Sequence, residues 1–229
     1  MSRLYIEDIS KNMPAPAVRE EAEEILHELQ EVLTIYRSAI KELNTKLEVL
    51  NDEFQSKRKR SPISYIKYRV KTPQSIMEKL ERRGYPLSLL SATENLHDIA
   101  GIRVICPFID DIYRITDMLT KQNDMRILKV RDYIKNPKPN GYRSFHLIIE
   151  IPVCFSDGPM RVKVELQIRT IAMDFWASLE HQLHYKDRHE IPREIVDELT
   201  DCATDIARTD QRMQSIHDAV AEYRDDMDF

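Results

Sequence analysis

From Met160 to Thr170 the chain alternates, with Val162, Val164, Leu166 and Ile168 apolar and Arg161, Lys163, Glu165, Gln167 and Arg169 standing between them. Period-two alternation predicts a strand with one buried face and one polar face. A solvated sheet face has the same pattern, but here a lone carboxylate, Glu165, is set among Lys163, Gln167 and Arg169. Cationic surroundings hold an acid ionised, ready to sit beside an anionic ligand or a metal.

Elsewhere the apolar positions recur at helical spacing. Val18, Ala22, Ile25, Leu29, Val32, Leu33, Tyr36, Ile40, Leu43, Leu47 and Leu50 predict one long amphipathic helix, or two in tandem, over 17–54. Gly101 to Cys106 reads as a strand, with Arg103 opposite Ile102, Val104 and Cys106, and it is followed by a helix at 110–122 and a strand at 125–130. A strand is predicted from Tyr142 to Ile151, with Tyr142, Ser144 and His146 on one face and Arg143, Phe145, Leu147 and Ile149 on the other. The helix after Thr170 has a packing stripe of Ala172, Phe175, Trp176, Leu179 and Leu183. Residues 191–229 predict one or two acidic helices with Ile195, Leu199, Ala203, Ile206, Met213, Ile216 and Val220 inward. The chain thus divides into a leader (1–16), an N-terminal helical region (17–56), an α/β core (57–186) and C-terminal acidic helices (187–229).

Composition narrows the chemistry. With 229 residues, 42% of them hydrophobic, the chain can bury a sizeable core. No apolar run approaches membrane-spanning length, and the start lacks a secretory signal core. Cys106, Cys154 and Cys202 lie far apart, which fits a reducing cytoplasm better than a disulfide framework. With only four glycines, phosphate must be held by side chains rather than by a glycine-rich loop. The net charge of -5 hides a cationic stretch: residues 57–83 carry ten Lys and Arg against Glu78 and Glu81. A compact cationic patch on an acidic protein suits a polyphosphate, with a nucleic-acid backbone as the second choice.

Three constellations carry the candidate chemistry. Arg69 and Lys71 lie in an extended segment closed by Pro73, after which Ser75, Lys79 and Arg82 share one face of a helix near its N-terminus. Arg131, Lys135 and Lys138 lie on the loop before Tyr142, whose rigid turn is made by Pro137, Pro139, Asn140 and Gly141, and from Tyr142 on an aromatic ring, a hydroxyl and an imidazole could hold a base and its phosphates. Asp98 enters the Gly101 strand. His97 and Asp98 do not make a metal-dependent phosphohydrolase, because His27 is the only histidine upstream. Glu180, His181 and His184 do not follow the zincin order.

The segments YRVKTPQSIMEKLERRG, HDIAGIRVIC, KVRDYIKNPKPNGYRSFHLIIE and VELQIRTIAMDFWASLEH together resemble the synthetase domain of RelA/SpoT-type guanosine tetra- and pentaphosphate synthetases. With no hydrolase segment before them, they are most similar to the stand-alone small alarmone synthetases, of the RelP type. The resemblance implies a nucleotidyltransferase-like mixed sheet of about five strands flanked by helices, an α/β (α+β) fold with helical extensions at both ends. It implies Mg²⁺ dependence and transfer of pyrophosphate from ATP to the ribose 3′-hydroxyl of GDP or GTP, with AMP as the other product, and a homotetramer in the cytoplasm.

Carried over residue by residue, the ATP positions fall on Arg69, Lys71, Ser75, Lys79, Arg82 and Arg103, with Arg69 and Arg103 stacking on adenine. Asp98 and Glu165 become the Mg²⁺ carboxylates, and Glu165 also activates the 3′-hydroxyl. The GDP/GTP positions fall on Tyr142, which stacks on the base, and on Arg131, Lys138, His146 and Gln167. Asp174 faces the guanine edge where a related subgroup has asparagine. A different nucleotidyltransferase would show a Gly-Ser start and a paired Asp-x-Asp, and neither is present. The remaining alternative is an RNA-binding or scaffold protein that uses the basic patch without turnover.

Overall fold

A computed structural model describes the backbone of residues 16–58, 60–186 and 192–227. The side chains of 16–26, 58, 184–186 and 224–227 lie outside the described residues, and with them the expected packing of Val18, Ala22 and Ile25 and the side chain of His184. The leader expected at 1–16 falls outside too, apart from Pro16.

One 43-residue helix, α1 (Pro16–Arg58), precedes β1 (Tyr65–Val70), α2 (Pro73–Arg82), α3 (Leu89–Asn95) and β2 (Ala100–Cys106). Then follow α4 (Ile109–Thr120), β3 (Arg126–Asp132), β4 (Phe145–Phe155), β5 (Gly158–Thr170), α5 (Ile171–Lys186) and α6 (Arg193–Met227). The five strands form one mixed sheet in the order β1-β2-β5-β4-β3. β2 and β5 run parallel and the other pairs are antiparallel.

The alternation of β5 is realised. Val162, Val164, Leu166 and Ile168 are buried beside Ile102 and Val104 of β2 and Phe145, Leu147 and Ile149 of β4. Tyr36, Ala39, Ile40, Leu43, Leu47 and Leu50 of α1 and Ile112, Ile115 and Leu119 of α4 cover this apolar face. Each large side chain buried there contributes roughly 1.5–3 kcal/mol. α1 therefore belongs to the same core as the sheet. The opposite, polar face stays open.

Three expectations change. β4 begins at Phe145, so Tyr142 and Ser144 lie in the loop before it and do not alternate with His146 as strand neighbours. Ser144 is fully buried instead, held by the Ile168 carbonyl and by Arg169. The stripe expected on α5 is only partly covered: Trp176 is buried, but Phe175, Leu179 and Leu183 are exposed. On α6, Ala203 is buried and Ile206 packs beside it, whereas Ile195, Met213, Ile216 and Val220 are exposed. The reason is the crossing of α5 and α6, which meet through Trp176, Ala177 and Ala203 in a small second cluster beside the main core. Trp176 Nε1 donates to the Leu199 carbonyl at 2.9 Å, and among the described residues Phe175, Leu179, Leu183, Ile195, Met213, Ile216 and Val220 stay exposed.

Candidate active site

The strand register arranges the open face in rows. Lys67, Arg103, Gln167, His146 and Arg131 stand side by side across all five strands. The neighbouring row is Arg69, Gly101, Glu165, Ile148 and Lys129. Cations thus occupy both edges and a single carboxylate the centre. Gly101 places no side chain between Glu165 and Arg69, which leaves the face open there.

Asp98 comes from the turn before β2. Lys79 donates to its Oδ2, and Lys71 Nζ lies 3.3 Å from the same oxygen. Local sequence sets this up: Thr72 caps α2, its hydroxyl accepting from the Ser75 N–H at 3.3 Å, and Pro73 starts the helix, so Lys79 falls on the turn facing Asp98. Burial pushes the Asp98 carboxyl up, but the Lys79 hydrogen bond and the charges of both lysines outweigh it and hold the group below its ordinary value. The other oxygen, Oδ1, is buried and has no hydrogen-bond partner.

Glu165 has its own supports. Gln167 Nε2 donates to Oε2 at 3.0 Å, and His146 Nδ1 faces Oε1 at 3.5 Å. Burial raises its carboxyl too, and here the His146 and Gln167 contacts win, leaving it below the ordinary value despite the nearby Asp98 charge. Burial lowers the His146 imidazole more than the Glu165 carboxylate raises it, so His146 is a neutral N–H donor at pH 7.

Asp98 and Glu165 line two adjoining cavities. The larger, about 290 Å³, is bounded by these two acids with Lys79, Arg131 and His146, and also by Arg83, Tyr85, His97 and Lys129. The smaller, about 190 Å³, is bounded by Arg69, Arg103 and Gln167 with Lys67, Tyr68 and Gly101. The two carboxylates are shared by both. Two cation-lined spaces that meet at a pair of acids can hold two anionic groups end to end.

Not every candidate lines a cavity. Ser75 and Arg82 are exposed on α2, outside both, and it is Arg83 that borders the larger one. Tyr142 stands behind the wall: its hydroxyl meets His146 Nε2 at 2.8 Å, and Lys138 Nζ lies 4.5 Å from the ring centroid. Gly141, with φ of 82°, makes this loop possible, since a Cβ there would come within 2.4 Å of the Ala203 Cβ. Asp174 is buried and already engaged, its Oδ1 accepting from Arg103 and Arg169 at 3.1 Å each and its Oδ2 from Tyr65 at 3.3 Å.

Sequence reasoning passed over Arg83, Tyr85 and Lys129. Lys129 had a signal, standing two residues before Arg131 on one strand, but a bulge between Ile127 and Lys129 decides which residues share that face.

A hard divalent cation takes oxygen ligands, and Mg²⁺ commonly uses one or two carboxylates while substrate phosphates complete its shell. The unpartnered Asp98 Oδ1 beside Glu165 fits that donor set. Among the described residues no group of three His, Cys, Asp or Glu is close enough to hold a metal unaided.

Residues 68–190 match the family described as a region found in RelA/SpoT proteins. The chain belongs to the RelA/SpoT family. Among members of this family, GTP pyrophosphokinase YwaC of Bacillus subtilis is 44% identical over 192 residues, covering 84% of this chain and 91% of the relative. The crystal structure of small alarmone synthetase 1 from Bacillus subtilis, bound to its product pppGpp, superposes with a TM-score of 0.77 at 38% identity, over 84% of this chain and 98% of that one. A second structure of that enzyme, bound to AMPCPP, gives 0.72 at 35% identity, over 86% and 99%. The mixed five-stranded sheet flanked by helices is therefore the fold of the family.

Proposed function

We propose that the chain transfers pyrophosphate from ATP to the ribose 3′-hydroxyl of GDP or GTP, releasing AMP and forming ppGpp or pppGpp, in the bacterial stringent response. The observation that carries this reading is the meeting of two cation-lined cavities at Asp98 and Glu165. The relatives add weight: one is named a GTP pyrophosphokinase, and two similar structures hold pppGpp and AMPCPP.

In this reading the guanidinium groups of Arg69 and Arg103 stack on adenine. Lys71 and Lys79, the two cations on Asp98, hold the donor phosphates, and Ser75 and Arg82, exposed on α2 outside the cavities, meet them only where the phosphate chain extends past the rim. Tyr142 stacks on guanine, which requires Lys138 to leave the ring face it covers and reach a phosphate. Arg131, His146 and Gln167 take the remaining acceptor contacts. Asp174 can touch the guanine edge only by releasing present partners, so we assign it first to holding Arg103 and Arg169.

The 3′-oxygen attacks the β-phosphorus of ATP, the bond from that phosphorus to the α–β bridging oxygen breaks, and AMP leaves. The hydroxyl proton passes to Glu165. Glu165 is ionised at working pH, yet its lowered pKa makes it a weak base, so most of the acceleration falls to charge neutralisation and in-line placement by the surrounding cations. Asp98 and Glu165 are the residues that would hold Mg²⁺, which would supply positive charge beside the phosphoryl oxygens.

Among the described residues no helix is long and apolar enough to cross a membrane, and we place the enzyme in the cytoplasm. The uncovered apolar residues of α5 and α6 support assembly as a homotetramer. One assay tests the function. Incubation with ATP, Mg²⁺ and GDP or GTP should yield AMP and a 3′-pyrophosphorylated guanine nucleotide in equal amounts. An RNA-binding or scaffold protein would instead bind nucleic acid with a steep salt dependence and release no AMP.

A further inference from the structure

Five side chains on the open face form a closed ring. Gln167 Nε2 donates to Glu165 Oε2 at 3.0 Å, and Gln167 Oε1 accepts from Arg169 Nη2 at 3.0 Å. The same Nη2 donates to the Tyr142 hydroxyl at 2.6 Å. That hydroxyl meets His146 Nε2 at 2.8 Å, and His146 Nδ1 closes the circuit on Glu165 at 3.5 Å. Arg169 is 4% exposed, covered by Ser144, Tyr142 and Asp174, and lines neither cavity. Its other two nitrogens are engaged as well, Nη1 on Asp174 at 3.1 Å and Nε on Ser144 at 3.3 Å.

Donor and acceptor counting gives this arrangement a direction. A guanidinium only donates, so the Gln167 amide must turn its oxygen to Arg169 and therefore its NH₂ to Glu165. Released from Arg169, the amide still turns its NH₂ to the carboxylate, which only accepts, but it loses the second anchor that fixes its plane and its distance from Glu165. The Tyr142 hydroxyl accepts from Arg169, which leaves its proton free for His146 Nε2 and the ring N–H of His146 at Nδ1, toward Glu165. The planar fork thus fixes two groups at once.

We infer that Arg169 is a positioning residue of the transfer reaction: through one guanidinium nitrogen it pins both the Tyr142 ring and the Gln167 amide, coupling the seat of the acceptor base to the orientation of Glu165. The inference rests on the synthetase reading above. It differs from a structural role, in which Arg169 serves only as the counter-charge of Asp174, and from a role of Tyr142 in stacking alone.

Tyr142→Phe keeps a ring that can stack and removes only the hydroxyl. The experiment measures kcat and KM for GDP and for ATP in the wild type, Tyr142→Phe, Arg169→Lys and the double variant. Both single variants should lose roughly tenfold in kcat/KM for GDP with KM for ATP unchanged, and the double variant should lose little beyond Arg169→Lys. Wild-type kinetics for Tyr142→Phe, or additive losses in the double variant, overturn the inference. Should Arg169→Lys fail to fold, Tyr142→Phe is combined with Gln167→Met. These two residues share Arg169 Nη2, so non-additive losses support the inference and additive ones overturn it. A wild type that makes no product sinks the synthetase reading itself, a result separate from either outcome.

Discussion

Replacing Glu165 by Gln is the sharpest test of the site, because it keeps length and volume and changes one oxygen to NH₂. In the folded protein the new amide meets Gln167 Nε2 on one side and His146 Nδ1 on the other, both donors, so its NH₂ necessarily faces one of them. The variant therefore loses a base, a carboxylate ligand and a well-formed contact together. General-base help is typically worth about 10²–10⁴-fold, or about 2.7–5.4 kcal/mol of barrier. Loss of a charged metal ligand adds to this, so AMP release should fall by at least about 10²-fold. The fold should survive, since the substitution also removes the repulsion between Glu165 and Asp98. Chromatographic separation of AMP and the 3′-pyrophosphorylated product, with a thermal melt in parallel, measures both effects. A folded Glu165→Gln enzyme working within about tenfold of the wild type would refute the assignment.

The other predictions concern binding, pH and assembly. Tyr142→Ala should raise KM for GDP or GTP by about 5- to 150-fold, the worth of one stacked base, and leave KM for ATP nearly unchanged; equal shifts in both would remove the stacking role. Burial raises the Asp210 carboxyl above its ordinary 3.8 in spite of the Thr170 bond and the Arg143 charge, so the unfolded chain gives up that proton first. Stability therefore falls as pH rises from 3.8 through the folded value, and the melting advantage of Asp210→Asn over the wild type should grow across that window; a difference constant with pH would contradict this. Phe175, 58% exposed on α5, should be covered in the proposed homotetramer, so Phe175→Glu should lower the mass measured by light scattering, and an unchanged mass would exclude this face as the interface.

What the chain revealed in advance was periodicity, and what it concealed was pairing. The alternation of Val162, Val164, Leu166 and Ile168 identifies the buried face of β5 because a strand turns its side chains by half a circle per residue whatever lies beside it. The same rule assigns Arg169 to the polar face but says nothing of its burial, which comes from Ser144, Tyr142 and Asp174 closing over it. Alternation puts Tyr142 on a strand, but the strand starts three residues later, at Phe145, and Tyr142 reaches His146 through the loop that Gly141 permits. For Phe175, Leu179 and Leu183 the helical spacing marks one face, yet spacing does not name what covers a face, and among the described residues all three are exposed.

The row of charge across the sheet was beyond sequence for a further reason. Its members come from five strands separated by as many as a hundred residues, and only register sets them side by side. Lys67 and Arg131 look like unrelated surface cations until β2, β5 and β4 align Arg103, Gln167 and His146 between them. A slip of one residue at β5 would turn Glu165 into the core and bring Leu166 to the open face. Because the apolar residues of β5 are packed between β2, β4 and the covering helices, that slip would expose the whole buried set. The core thus fixes the placement of Glu165 opposite Gly101 as firmly as it fixes the fold, and the same hydrophobic alternation that stabilises the sheet keeps the two carboxylates where the cavities meet.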